Sequence, residues 1–79
     1  MPVEIDWNEK AKVILKEKLT RKNMKYHDLA RALKDIGINE SQNSIATKMS
    51  RGTFSFAFFL QCMSALKIDY VDFSLDLDS

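Results

Sequence analysis

A group of hydrogen-bonding side chains lies at the start of one predicted helix. It contains two amides, two hydroxyls and one amine, carried by Gln42, Asn43, Ser44, Thr47 and Lys48. Base edges in the major groove of DNA are recognised by hydrogen bonds, in which Gln and Asn pair with adenine and Lys pairs with guanine. These five residues therefore have the chemistry needed to contact bases, if the helix that carries them enters a groove of DNA.

Residues suited to catalysis or to metal binding are few. His27 is the only histidine, and adjacent helical residues face in different directions, so we do not expect it to pair with Asp28. Cys62 has no Cys or His at metal-ligand spacing, and a buried structural thiol is the simpler interpretation. We predict no enzymatic activity, no metal, no cofactor and no small-molecule ligand.

Charge is distributed unevenly along the chain. Residues 10–34 contain nine basic and two acidic residues, a local charge of +7, although the whole chain carries only +1. From residue 69 onward there are four Asp and no basic residue. Such asymmetry is typical of a protein that binds a polyanion, with a merely solvated lysine-rich helix as the alternative.

Length and composition predict one small globular domain. The chain has 79 residues, of which 46% are hydrophobic and only three are Gly or Pro, and this scarcity of turn residues argues against an all-β fold. The longest apolar run, 56–60, is far too short to span a bilayer. No export signal is recognisable, and a single cysteine fits a reducing compartment, so we expect a cytoplasmic protein.

Helical spacing of apolar residues predicts four helices, at about 7–22, 25–36, 40–50 and 56–66. Asp6 and Ser55 can cap the first and the last, and Gly37 and Gly52 can end the second and the third. For the third helix, the cap is either Asn39 or Ser41. The sequence therefore predicts an all-α fold, a compact bundle of four to five short helices.

The apolar stripes differ in width from helix to helix. The first helix has Trp7 at the start of its stripe, whereas the third has a thin stripe around Ile45 and Met49, so most of the third should face solvent or a ligand. In the fourth, the expected core residues are Phe56, Phe59, Leu60, Met63 and Leu66. Phe58, Cys62 and Ala65 extend the apolar surface of this helix to a second side.

Three segments resemble the helix-turn-helix of phage-repressor type, namely YHDLARAL (26–33), SRGT (50–53) and ALKI (65–68). Three others resemble a small bacterial domain family of unknown function over residues 7–68, namely WNEKAK (7–12), RGTFS (51–55) and FFLQC (58–62). The second resemblance implies no activity. The first departs from the repressor pattern, because Gly37 follows Ala30 by seven residues instead of four.

The repressor-type resemblance implies a DNA-binding module, in a bacterial or phage transcriptional regulator. Its domain covers 7–68, between an N-terminal arm (1–6) and an acidic tail (69–79). In this arrangement the second helix crosses the DNA backbone and the third lies in the major groove of double-stranded DNA. The implied phosphate contacts are Lys22, Lys25, Tyr26, Arg51 and Thr53. Tyr26 has an alternative role in the core, and Arg51 one at the negative end of a helix dipole.

A single helix-turn-helix unit seldom binds DNA tightly, so we predict a homodimer. The expected interface residues are Phe58 and Cys62, on the second side of the fourth helix, together with Val71 and Phe73 in the tail. Residues 67–73 form either a fifth helix or an extended segment. The alternative function is a helical protein-interaction module that does not bind nucleic acid.

Overall fold

Four α-helices form the domain in the computed structural model, which describes residues 5–71. They are α1 (Trp7–Arg21), α2 (Tyr26–Asp35), α3 (Gln42–Arg51) and α4 (Phe56–Ala65). The predicted all-α class is confirmed, and each predicted helix end lies within two residues of the observed one. No helix in the described part of the chain is long and apolar enough to cross a membrane.

Side-chain caps start three of the helices. Asp6 Oδ1, Ser41 Oγ and Ser55 Oγ each accept a hydrogen bond from the backbone N–H three residues further on, at 3.0–3.1 Å. The choice between Asn39 and Ser41 is thereby settled in favour of Ser41. Helix α2 starts differently, because Lys25 has no capping oxygen and its backbone N–H instead donates to Asp28 Oδ2 at 2.8 Å.

A single apolar core joins the four helices. Helix α2 packs against α3 and α4, and α1 packs against α3. Six core side chains are almost completely buried: Leu15, Leu29, Leu33, Ile45, Met49 and Cys62. Two of these six belong to α3, so its thin apolar stripe is sufficient to hold it against the domain.

The core face of α4 differs from the predicted one. Phe56 and Leu60 were expected in the core, but they are 69% and 52% exposed. Phe58 and Cys62 are buried instead, next to Phe59, Met63 and Leu66. The helix is apolar at nearly every position, so its sequence alone does not define the buried side. Trp7 was also expected in the core, and it is 64% exposed.

Gly52 fixes the end of α3 against the start of α1. Its φ of +66° lies in the left-handed region that favours glycine. A Cβ atom at this position would lie 2.9 Å from the carbonyl carbon of Asn8 and still closer to its oxygen. Gly37, which follows α2, also has a positive φ of +88°, but a Cβ there would meet nothing within 4 Å.

No regular element follows α4 within residues 66–71. A fifth helix is therefore not observed as far as Val71, which is half-buried and packs against the core. The predicted interface residue Phe73 lies outside the described residues, as does most of the N-terminal arm.

Candidate nucleic-acid interface

One side of α3 faces solvent with polar side chains. Gln42, Asn43 and Thr47 are exposed on this side, while Ile45 and Met49 on the opposite side are completely buried. Thr47 Oγ1 donates a hydrogen bond to the carbonyl oxygen of Asn43 at 3.0 Å, which is a local contact within the helix. The Gln42 and Asn43 amides have no hydrogen-bond partner among the described residues, so both are available to a ligand. We call Gln42, Asn43 and Thr47 the outer flank of α3.

The other two predicted base-contacting residues, Ser44 and Lys48, bind another side chain of the domain. Ser44 Oγ donates a hydrogen bond to Glu40, and Lys48 forms an ion pair with the same carboxylate. The Lys48 ammonium also lies 3.4 Å from Ser44 Oγ. Hydrogen bonds from Lys48 and then from Ser44 hold the pKa of Glu40 below its ordinary value. We call Glu40, Ser44 and Lys48 the inner flank. Glu40 was not among the predicted site residues, although the sequence places it four residues before Ser44 and eight before Lys48.

The inner flank lies over the aromatic core. The Lys48 ammonium sits 5.0 Å from the centre of the Phe58 ring, a distance that permits a cation–π contact. Burial, and to a smaller extent the negative charge of Glu40, raise the pKa of the Cys62 thiol to about 12. Cys62 therefore stays protonated at neutral pH and is a poor nucleophile, as expected of a structural thiol.

Most of the predicted phosphate contacts are exposed. Lys22, Lys25, Arg51 and Thr53 lie on the surface, whereas Tyr26 is partly buried and packs against the core. The three cations have no ion pair among residues 5–71.

Some basic residues of α1 are already paired with a carboxylate. Lys18 is buried, and its ammonium lies 3.1 Å from Glu17. Arg21 contacts the same carboxylate at 2.8 Å. The hydrogen bond from Lys18 contributes most to lowering the pKa of Glu17. Part of the basic charge of residues 10–34 is thus compensated locally.

The connection between α2 and α3 comprises residues 36–41. The turn of a DNA-binding helix-turn-helix has three to four residues, so this six-residue connection is longer. The position of Gly37 had predicted either a longer second helix or a longer turn.

One contact contradicts the sequence interpretation of His27. Its Nε2 atom lies 3.3 Å from Asp28 Oδ1, although the two were not expected to meet. Both residues are in the first turn of α2, where Asp28 bends back to the helix start to accept from the Lys25 N–H. Within residues 5–71, no three His, Cys, Asp or Glu side chains come together as a metal site.

The predicted interface residues are not free on the monomer surface. Phe58 and Cys62 are 4% and 0% exposed, so both are buried within the monomer. Phe58 is covered by Phe54 and Lys48. Val71 is half-buried, and Phe73 lies outside the described residues. The homodimer itself stays a prediction.

Comparison with known proteins identifies a family for most of the chain. Residues 7–71 match a domain of unknown function, DUF6471. No repressor-type family matches, and neither a curated protein nor a solved structure shows significant similarity. The predicted resemblance to a small family of unknown function, over 7–68, is therefore confirmed. The chain belongs to the DUF6471 family.

Proposed function

We propose that this domain binds double-stranded DNA through the outer flank of α3. The observation that carries the proposal is the unpartnered pair of amides, Gln42 and Asn43, at the exposed start of a helix whose other side is buried. A helix that enters the major groove contacts base edges with residues in this position. An amide that keeps both its donor and its acceptor free can pair bidentately with adenine.

The charge around α3 supports a polyanionic ligand. The helix contains no acidic residue, and the nearby carboxylate of Glu40 is balanced by Lys48. Arg51 is exposed at the other end of α3, and Lys22 and Lys25 are exposed between α1 and α2. Cations in the connections flanking a recognition helix are well placed to bind phosphates, which supply most of the affinity for DNA.

The proposed docking is a variant of the helix-turn-helix with a longer turn. Helix α2 packs against α3, and exposed Lys25 directly precedes its first turn, so α2 can approach the backbone while α3 enters the groove. With six residues between the helices, we expect α3 to be tilted differently than in a repressor. We accordingly propose a transcriptional regulator of bacterial or phage origin, acting in the cytoplasm, whose groove contacts are set by Gln42, Asn43 and Thr47.

Selection from random duplex DNA tests this function directly. The full chain is incubated with a random library at about 50 mM salt, and bound duplexes are amplified and sequenced through several rounds. We expect enrichment of a short site, rich in adenine where the amides contact it. Affinity for that site should fall steeply with salt, because each neutralised phosphate releases a counterion. Lack of enrichment together with a flat salt dependence would contradict the proposal.

A second candidate function is a protein-interaction module without nucleic-acid binding. It is favoured by the exposed aromatic side chains Trp7 and Phe56, because contiguous apolar surface often marks a protein contact. A protein partner would not impose the salt dependence of phosphate release, so the same titration separates the two functions.

A further inference from the structure

An open apolar groove lies between the start of α1 and the start of α4. Its volume is about 400 Å³, and its apolar walls are formed by Trp7, Ala11, Ile14, Phe54, Phe56 and Phe59. Of the described residues that line it, Lys10 alone is charged. Trp7 and Phe56 are 64% and 69% exposed, so two large aromatic rings at the groove are not buried in the core. The groove therefore suits an apolar ligand that also carries negative charge.

We propose that this groove binds the chain's own segment 72–79. The segment follows directly on Val71 and has the sequence DFSLDLDS, in which Phe73, Leu75 and Leu77 alternate with aspartate and serine. In an extended peptide this alternation places the apolar side chains on one side and the polar ones on the other. The apolar side matches the aromatic walls. The long Lys10 side chain can direct its ammonium to the aspartates while its methylenes stay on the apolar surface.

Charge and area favour this segment over other occupants. A second copy would bring another Lys10 and no wall carboxylate to the contact. The two exposed rings also offer far less than the roughly 800 Å² per partner that a specific interface buries. Residues 1–4 lie outside the described part of the chain as well, but they carry one carboxylate and no aromatic ring. Segment 72–79 carries three carboxylates, no cation and three large apolar side chains.

The segment is long enough to reach the groove. The groove is at the start of α4, and the ten residues of this helix span about 15 Å. After the helix, Ile68 and Val71 still pack against the core, so the chain stays on the domain up to residue 71. Eight further residues in extended conformation span about 26 Å. This exceeds the length of α4, along which the segment has to return.

Covalent attachment makes a small contact sufficient. A short connection gives the segment an effective concentration in the millimolar range. No second molecule loses its translational freedom, which is a large part of what opposes association between separate chains. Three apolar side chains in the groove can therefore stay bound, although they bury less area than an interface between proteins. Phe73, a residue predicted for a dimer interface, then contacts its own domain.

NMR spectra of the full chain and of a chain lacking 72–79 test the contact. We expect the truncation to change the amide shifts of the groove walls, including Ala11 and Phe59, and the indole signal of Trp7, the only tryptophan. Amides around Ile36, which lies outside the groove walls, should not change. In the full chain, nuclear Overhauser contacts should connect Phe73 or the following leucines with the Ala11 methyl group.

A synthetic peptide of residues 71–79, added to the truncated chain, measures what carries the affinity. It should restore the groove shifts, whereas a peptide with serine in place of Phe73, Leu75 and Leu77 should not. Phe56→Ala in the domain should weaken peptide binding at least about tenfold, as for a central aromatic contact. Lys10→Gln should weaken it about two- to fivefold, as for an exposed ion pair. Ile36→Ala, which removes another exposed apolar side chain, is the matched control and should have no effect.

Three results would overturn the proposal. The first is a groove whose signals are the same with and without 72–79. The second is a peptide that binds Phe56→Ala as well as it binds the parent domain. The third is a set of groove shifts that follow the chain concentration or the removal of residues 1–4 instead, which would assign the groove to a second copy or to that segment. DNA is absent throughout, so failure here leaves the DNA-binding proposal to its own test.

Discussion

The two flanks of α3 carry similar side chains but differ in how those side chains are used. On the inner flank, Ser44 and Lys48 bind the carboxylate of Glu40, and Lys48 also lies over an aromatic ring. On the outer flank, the amides of Gln42 and Asn43 have no partner within the described domain. A donor that is already satisfied must break its internal contact before it can bind a ligand, and this costs free energy. The outer flank is therefore the side of α3 suited to recognition.

Which flank of α3 faces solvent depends on the orientation of the helix, and Gly52 sets that orientation against α1. Gly52→Ala should lower the free energy of unfolding by about 3 kcal/mol, because it adds a clash with Asn8 to the strain of a positive φ. Gly37→Ala is the matched control, since it has a positive φ and open space, and should cost only about 1 kcal/mol. Urea unfolding of both variants measures the difference, and equal losses would show that the Gly52–Asn8 contact is unimportant.

Two substitutions, one on each flank of α3, test whether only the outer flank contacts DNA. Asn43→Ala should weaken binding to the selected DNA site by about 1–3 kcal/mol while leaving binding to random DNA nearly unchanged. Ser44→Ala should leave both affinities unchanged, because its hydroxyl already serves Glu40. Gln61→Ala on α4, another exposed amide, controls for nonspecific effects. Anisotropy titrations on both DNAs supply the numbers, and a larger specific loss for Ser44→Ala than for Asn43→Ala would reverse the assignment.

Glu40 should contribute to stability in a pH-dependent way. Its carboxylate accepts from Lys48 and Ser44, so Glu40→Gln should cost about 1–2 kcal/mol at pH 7. The pKa of Glu40 is lowered in the folded state, so its contribution is fully present above the ordinary value of 4.5. It is lost as the pH falls through the lower folded pKa.

Urea unfolding of the parent and of Glu40→Gln at several pH values between about 3 and 7 tests this. The difference between the two proteins should shrink toward the acidic end. Lys16→Ala, an exposed cation with no ion pair among residues 5–71, is a control for general charge effects. A difference that stays constant over the whole range would mean that the Glu40 charge is not involved.

Sequence patterns located the helices because their signals are local. Caps such as Asp6, Ser41 and Ser55 and the glycines after α2 and α3 act within a few residues, and each of these assignments agrees with the structure. The late position of Gly37 indicated a longer second helix or a longer turn, and the structure shows a connection of six residues.

The buried face of α4 was not predictable, since it is decided by other parts of the chain. Phe58 is covered by Lys48 from α3 and by the ring of Phe54, 5.7 Å away. In a helix that is apolar nearly all round, such contacts choose the buried side, and Phe56 remains exposed. Packing also decides which of the predicted site residues are free to bind a ligand. The sequence pointed to five polar residues of α3, but only the packing around Glu40 separates Ser44 and Lys48 from the other three.

The two cations near the end of α3, Arg51 and Lys48, should differ in their contribution to the salt dependence of DNA binding. Arg51 is exposed and has no ion pair among the described residues, whereas Lys48 is bound to Glu40. Arg51→Ala should therefore lower the salt dependence of DNA binding by about one unit of slope, the contribution of one phosphate contact. Lys48→Ala should leave the slope unchanged, although it removes the same charge. Lys34→Ala, at the end of α2 away from Lys25, is the control.

Glu40→Gln completes this test, because it releases Lys48 without removing it. If the carboxylate holds Lys48 away from the ligand, its loss should raise the slope by up to about one unit, and the double variant Glu40→Gln/Lys48→Ala should return the slope to that of the parent. Affinities are measured at four or more salt concentrations between about 50 and 200 mM. A lower slope for Lys48→Ala alone would show that the ion pair opens on binding and that Lys48 contacts DNA. The inner flank would then be part of the interface, and the difference between the flanks would hold only for the free domain.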